Sequence, residues 1–511
     1  METFNRILNR NLALVPDRTF LIAGDTRLTY AEFGRRTAQL AHVLRDAGVK
    51  PGDRVGLYLP STPLMAIAFW ACQRLGAVPA PLSAMFRASE LSAVLGRSRI
   101  CALVVDASSA AEFAPIKGDF PDLTLLAPAG ALEGALDIDA AMAAAPDTFA
   151  DHEQQLHDPS ALFFTSGTTG TPKAIEQTHF TTVSSLRDMM VSHGARYGQE
   201  TYLCAVPLFT NFGLTVTLNL CLYTGGTLVL HERWNTERVL EDIARHKATY
   251  FGGTPTMYVY MVGVFDAEKH DLSSLRVCTT GGAPVPQPII RKFEELAGAR
   301  VSQVYGATET CGQNVIEPVR GPRRAGAAGL PVGSSVITIV GEDGTPLPQG
   351  EVGEVVIGGD CVSLGYADDA KATAESFGPR GWLSGDLGFL DEDGFLFIVD
   401  RKKDVIITGG HNIYPLEVES VLYRQGGVSI CAVVPALDEA KGEIPVAIVV
   451  PLPGVTLDEE MLRTHCRAHL AAYKVPRRFE FIDTMPVEAA KIRKRDLVDA
   501  LRADNLDKYR N

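Results

Sequence analysis

The run Thr165-Ser166-Gly167-Thr168-Thr169-Gly170-Thr171-Pro172-Lys173 follows the apolar segment Ala161-Leu162-Phe163-Phe164 without interruption. A short apolar run bounded by turn residues reads as a buried strand. A strand that ends in hydroxyls, two glycines and a lysine can turn backbone N–H groups, hydroxyls and one ammonium toward a polyphosphate. The loop therefore reads as a clamp for a nucleotide triphosphate. It is not a Walker A loop, because no Gly-Lys-Ser/Thr follows the first glycine at the required spacing and the lysine stands behind a proline. A polar surface turn, which Gly, Ser and Thr favour for local reasons, is the competing reading.

The flanking patterns alternate as in an α/β protein. Residues 30–46 and 63–75 have helical spacing, and residues 54–59 and 101–105 read as buried strands. A second set runs from near Tyr202 to about Glu309, and residues 127–146, rich in alanine, glycine and acids, read as a poorly constrained surface excursion. From 336 to 397 the pattern changes to short β segments with glycine turns. After Asp400 comes a unit of about one hundred residues, the size of a small domain. Its expected elements are a helix from Pro415, strands at 429–434 and 445–450, a helix from Asp458 and a strand at 479–482. The fold class is thus α/β: a large N-terminal α/β domain of several subdomains over 1–400 and a small C-terminal α+β domain over 401–511.

At 511 residues and 46% hydrophobic, the chain can bury a large core, while a net charge of −13 argues against a broad nucleic-acid surface. No segment has the pattern of a signal peptide, and the longest apolar stretches, such as 64–72, are too short to span a bilayer. Nine scattered cysteines without a Cys-x-x-Cys pair suit a reducing compartment, so the expected location is cytoplasmic.

Four further constellations carry chemistry. Thr280-Gly281-Gly282-Ala283-Pro284 offers small residues beside which a flat ring can approach the backbone. Ser302-Gln303-Val304-Tyr305-Gly306-Ala307-Thr308-Glu309 supplies an aromatic face, an amide, and a hydroxyl beside a carboxylate that can hold Mg²⁺ on a phosphate. In Trp382-Leu383-Ser384-Gly385-Asp386 a carboxylate at a turn can accept both hydroxyls of a ribose. Asp400-Arg401-Lys402-Lys403-Asp404 precedes Gly409-Gly410-His411-Asn412-Ile413-Tyr414-Pro415. A packed tyrosine, a surface acid or a solvated charge run explains each alone; the ordered set is harder to explain so.

This ordered set resembles the adenylate-forming superfamily of acyl-CoA synthetases, aryl-CoA ligases, peptide-synthetase adenylation domains and luciferase, over nearly the whole chain. The resemblance implies that Thr165, Ser166, Gly167, Thr168, Thr169, Gly170 and Lys173 close over the β- and γ-phosphates of ATP. It implies that Gly282, Ala283 and Pro284 line the adenine, that Gln303 and Tyr305 bond and stack it, and that Thr308 meets the α-phosphate. Glu309 would hold Mg²⁺, and Asp386 and Arg401 would take the ribose. Lys491, in Ala490-Lys491-Ile492-Arg493, matches the mobile lysine that enters the site during adenylation. It is preferred over Lys494 because Ile492 and Arg493 keep the surrounding pattern. A hinge at Lys403, within 400–404, would rotate the small domain so that Gly409 and Gly410 line a pantetheine tunnel. The activity implied is conversion of a carboxylic acid to acyl-AMP with release of pyrophosphate, then transfer to a thiol.

The chain departs from the family pattern twice. Where relatives carry Pro-Leu-Phe/Tyr-His, it has Pro207-Leu208-Phe209-Thr210-Asn211-Phe212, and the loop before Lys491 is shorter, with alanine in place of glycine. Phe209, Thr210, Asn211 and Phe212, with Gly281 and Gly306, suggest a mixed polar and apolar acid pocket. Asn235 stands where amino-acid-activating relatives place an aspartate, which disfavours an α-amino acid. Tyr473 and Arg477, in Tyr473-Lys474-Val475-Pro476-Arg477-Arg478, resemble the segment that holds the nucleotide end of CoA. CoA is the favoured acceptor, and the phosphopantetheine of a separate acyl carrier protein is the alternative. Two other readings stay open: transfer to a nucleophile other than a thiol, and a nucleotide-binding module without catalysis.

Overall fold

A computed structural model describes residues 2–165, 172–282, 287–438, 441–452, 454–488 and 491–510; for Glu488 and Lys491 it describes the backbone alone. Helix Tyr30–Asp46 opens with a capping box in which Thr29 and Glu32 satisfy each other's backbone N–H groups. Helix Pro63–Leu75 begins on proline and stops at Gly76, whose φ of 79° ends it in the left-handed region. Because this second helix is apolar on nearly every side, it is buried from Met65 onward, against a sheet of parallel strands. That sheet runs Val78–Pro81, Arg54–Tyr58, Ile100–Val105, Thr124–Ala127 and Leu136–Asp137.

A larger sheet of nine strands lies beside it. Its parallel core runs Val301–Tyr305, Val277–Gly281, Tyr250–Gly253, Thr201–Cys204, Thr227–Leu230 and Thr19–Ala23, with antiparallel strands at both edges. A third, antiparallel sheet holds Val336–Val340, Gly353–Gly358, Gly381–Leu390 and Leu396–Arg401, as the short β segments and glycine turns predict. From Ile406 onward the chain builds its own sheet, in which Val428–Asp438 and Gly442–Pro451 form the long central pair. One face of that sheet packs on helices Pro415–Arg424 and Glu459–His469, the other on Lys494–Arg502. The protein is a mixed α/β chain with a large N-terminal and a small C-terminal domain.

Residues 127–146 correct the sequence expectation. Within them Leu136–Asp137 joins the first sheet, Asp137 caps helix Ile138–Ala144, and Ile138 is fully buried where that helix meets Tyr30–Asp46. Alanine-rich composition concealed the apolar anchors Leu132 and Ile138. Among the described residues no helix is long and apolar enough to cross a membrane, and all nine cysteines are free.

Candidate active site

In an open parallel sheet, ligands sit beyond the carboxyl ends of the strands. Three motifs singled out in the sequence leave such ends within one stretch of the large sheet. Pro207 to Phe212 follows Thr201–Cys204, Gly282 follows Val277–Gly281, and Gly306 to Glu309 follows Val301–Tyr305. The last two strands are neighbours in register, with Thr280 opposite Gln303 and Gly281 opposite Val304. Topology thus collects residues a hundred positions apart at one rim.

The glycines there have a packing reason as well as room for a ligand. A Cβ on Gly281 would stand 2.6 Å from a Val304 methyl, and one on Gly306 would stand 1.9 Å from the Gly312 carbonyl oxygen. Both positions require glycine before any substrate arrives. Phe209 and Phe212 are partly exposed, whereas Asn211 is buried and its Oδ1 accepts from Gln177 Nε2 at 3.1 Å. Gln177 Nε2 also donates to the Thr308 carbonyl at 2.9 Å, which ties the 207–212 segment to the phosphate motif. Thr210 Oγ1 donates to the Pro207 carbonyl at 2.7 Å and accepts from the Gly213 N–H, so its hydroxyl closes the turn that opens the π-helix Phe212–Asn219. Asn235 is a helix cap, accepting from the Arg238 N–H at 3.0 Å.

Asp386 does not sit at a turn, as its sequence setting suggests, but within strand Gly381–Leu390. Pairing with Gly353–Gly358 shifts register between Glu354 and Val356, and Gly385 has φ of 70°. A bulge of this kind re-aims a side chain without ending the strand. The buried carboxylate accepts from Tyr305 Oη at 2.7 Å and pairs with Arg401 Nε at 3.0 Å. Tyr305 is therefore anchored through its hydroxyl, which leaves its ring as the surface on which a base can stack. A carboxylate has lone pairs beyond these two contacts for ribose hydroxyls.

Two antiparallel strands flank the hydroxyl- and glycine-rich motif. Strand Pro159–Thr165 pairs with Lys173–Thr178, and Thr165 stands opposite Lys173. Ser166, Gly167, Thr168, Thr169 and Gly170 lie outside the described residues, as do Ala283 and Pro284. The Lys173 ammonium lies 4.5 Å from the centre of the Tyr366 ring. Tyr366 Oη in turn donates to Glu309 Oε1 at 3.1 Å, and Glu309 is buried. Among the described residues no group of three or more His, Cys, Asp or Glu side chains could hold a metal unaided. A single carboxylate beside hydroxyls suits Mg²⁺ that arrives on a polyphosphate, since that ion commonly takes one or two carboxylates plus phosphate oxygens.

On the small domain, Gly409 and Gly410 form the tip of the hairpin joining Ile406–Thr408 to His411–Ile413, with φ of 53° and 82°. Positive φ at both central residues is the signature of the hairpin turn that glycine best supplies. His411 lies 4.9 Å from Tyr473, ring centre to ring centre; both are exposed, as are Arg477 and Lys403. The backbone of Lys491 pairs with Glu488 in a second small hairpin. Lys494 is placed quite differently. Its ammonium is 2.8 Å from Glu419 Oε1 and also faces Asp400 and Asp404.

Asp400 accepts from the N–H groups of Arg401 at 2.7 Å and Leu416 at 2.8 Å. The second bond caps helix Pro415–Arg424, whose own N-cap residue, Tyr414, makes no side-chain cap. Burial pushes the Asp400 carboxyl up to about 6, against the pull of Lys494 and the two N–H donors. The folded state therefore binds this proton more tightly than the unfolded chain, and the associated stability is complete below about pH 4 and lost as pH rises to about 6. Asp400→Asn should gain stability relative to the parent across that window and hold a constant difference above it. Denaturant unfolding of both proteins at pH 4 to 7 checks the slope.

The sequence profile described as AMP-binding enzyme matches residues 8–367, and that described as AMP-binding enzyme C-terminal domain matches residues 417–491. A feruloyl-CoA synthase of Amycolatopsis sp is 37% identical over 478 residues, which cover 93% of this chain and 94% of that protein. A 2-succinylbenzoate–CoA ligase of Bacillus licheniformis is 34% identical over 491 residues, 94% of this chain and 97% of that protein. The crystal structure of an anthranilate CoA ligase in complex with anthranoyl-AMP superposes with a TM-score of 0.91 at 27% identity, covering 98% of both chains.

Proposed function

The chain belongs to the AMP-binding enzyme family, and from that premise we propose that it activates a carboxylic acid with ATP and passes the acyl group to the thiol of CoA. The observation that carries this reading is the convergence of Thr308, Glu309, Tyr305, Asp386 and Arg401 at one rim, with the Lys173 strand held beside them. Full-length similarity to feruloyl-CoA synthase and 2-succinylbenzoate–CoA ligase supports the CoA step. The acids those relatives take make ring-bearing carboxylates the first substrates to try.

A carboxylate is a poor electrophile, so it first attacks the α-phosphorus of ATP, pyrophosphate leaves, and an acyl-AMP anhydride results. Tyr305 and Gln303 orient the base, Asp386 and Arg401 the ribose, and the 165–173 motif the leaving phosphates. Mg²⁺ on Glu309 would neutralise phosphate charge as it builds. Lys491 stabilises the same charge in the transition state more than in the ground state. We place the domain division at 400/401 and the hinge at Lys403, about which the small domain turns to withdraw Lys491 and bring Gly409 and Gly410 to the thiol's path. Free thiols throughout suit a cytoplasmic enzyme.

Incubation with ATP, Mg²⁺, CoA and a panel including ferulate, 2-succinylbenzoate and anthranilate should release pyrophosphate and yield acyl-CoA by mass. Arg477→Glu should raise the KM for CoA at least several-fold and spare pyrophosphate release, because it replaces attraction to phosphate by repulsion. Acyl-AMP without acyl-CoA would reject CoA as the acceptor. Faster transfer to pantetheine on an acidic carrier protein would put the carrier in its place.

A further inference from the structure

The segment 363–367 is a strap with no assigned role, and it touches both charged ends of the nucleotide site. The Ser363 N–H donates to the Glu309 carbonyl at 2.9 Å. Further along, Ala367 N–H donates to the Ala174 carbonyl at 2.8 Å, and Tyr366 bridges antiparallel to Ile175, so the strap docks along the strand that begins at Lys173. Gly365 turns the strap with φ of 133°, and a Cβ there would stand 2.4 Å from a Thr373 methyl. Thr373 Oγ1 accepts from the Tyr366 N–H at 2.9 Å, and Phe377 meets the ring edge-on at 5.5 Å. The ring is thus fixed from behind, with one face toward the Lys173 ammonium and its hydroxyl on Glu309.

We propose that Tyr366 is a positioning residue of the nucleotide site, its hydroxyl setting the orientation of the Glu309 carboxylate while its ring face seats the Lys173 ammonium. This rests on the reading of Glu309 as the Mg²⁺ carboxylate and Lys173 as a phosphate-binding cation. A phenol bonded to one carboxylate oxygen restrains the group's rotation and so fixes the direction in which the carboxylate faces a metal. A cation over an aromatic face is attracted to it yet keeps its N–H donors for other partners. One side chain thereby couples the motif that holds the leaving phosphates to the carboxylate that holds their metal.

The test is binding without turnover: the rise in melting temperature produced by ATP, measured without acid substrate, across a Mg²⁺ titration and again in EDTA. Tyr366→Phe keeps the ring and removes only the hydroxyl. It should raise the Mg²⁺ concentration needed for half the metal-dependent rise about tenfold, the usual effect of losing one hydrogen bond to a charged group. Its rise in EDTA should match the parent's. Tyr366→Leu should lower the rise in EDTA as well, because Lys173 loses its seat. Glu309→Gln is run alongside. If Glu309→Gln moves the Mg²⁺ dependence and Tyr366→Phe does not, Tyr366 is only a packing residue and the proposal fails. If Glu309→Gln itself leaves the dependence unchanged, the assignment of the metal carboxylate falls, and the proposal with it.

Discussion

Lys491→Ala is expected to cut acyl-AMP formation from acid and ATP by about a hundredfold or more, while thioester formation from preformed acyl-AMP stays near the parent rate. The magnitude is that of removing one positioned charge from a site where negative charge develops in the transition state. The asymmetry comes from the chemistry of the two steps. In the first, the α-phosphoryl oxygens gain charge as pyrophosphate leaves, and a cation there lowers the barrier. In the second, a thiol attacks the acyl carbon of the anhydride, and the lysine has been carried away with the small domain. Pyrophosphate release and single-turnover transfer from synthetic acyl-AMP measure the two steps separately. Equal losses in both would reject rotation about Lys403 and make Lys491 either a binding residue for both states or a structural one.

Much of this fold was legible because its punctuation is local. Thr29 with Glu32, and Pro63 with Gly76, mark helix ends within a few residues of the bonds they form. The motifs that begin at Thr165, Gly281 and Tyr305 were legible for a related reason: each lies at the end of a strand. What stayed hidden depends on distant partners. The bulge that aims Asp386 comes from register against Gly353–Gly358, which no window around Asp386 contains. Tyr366 reaches Glu309 across 57 positions, and only its place beside Gly365, a glycine that turns the chain, hinted at a fixed side chain. Gly281 and Gly306 carry a second meaning that no local window shows: an added Cβ would meet Val304 or the Gly312 carbonyl, so packing requires glycine there whatever ligand the rim takes. A glycine in a sequence signals close approach without saying by what.

Lys494 lies three residues beyond Lys491, and the same substitution should act there through stability. The Lys494 side chain is about one-fifth exposed and its partner Glu419 is buried, with Glu419 Oε1 also accepting from the Val433 N–H at 2.7 Å. Lys494→Met would leave that carboxylate without its cation between helix Pro415–Arg424 and strand Val428–Asp438. Breaking a buried pair from one side costs about 3 kcal/mol or more, because the remaining charge is desolvated and unpaired. Hydrogen exchange at the amides of Val428–Asp438 and Gly442–Pro451 should report the loss as a lower opening free energy. Lys494→Arg should recover much of it, and Lys494→Met combined with Glu419→Gln should cost less than Lys494→Met alone, since the orphaned charge is gone. Unchanged exchange protection together with a lost first half-reaction would instead move Lys494 into the chemistry and displace Lys491 from it.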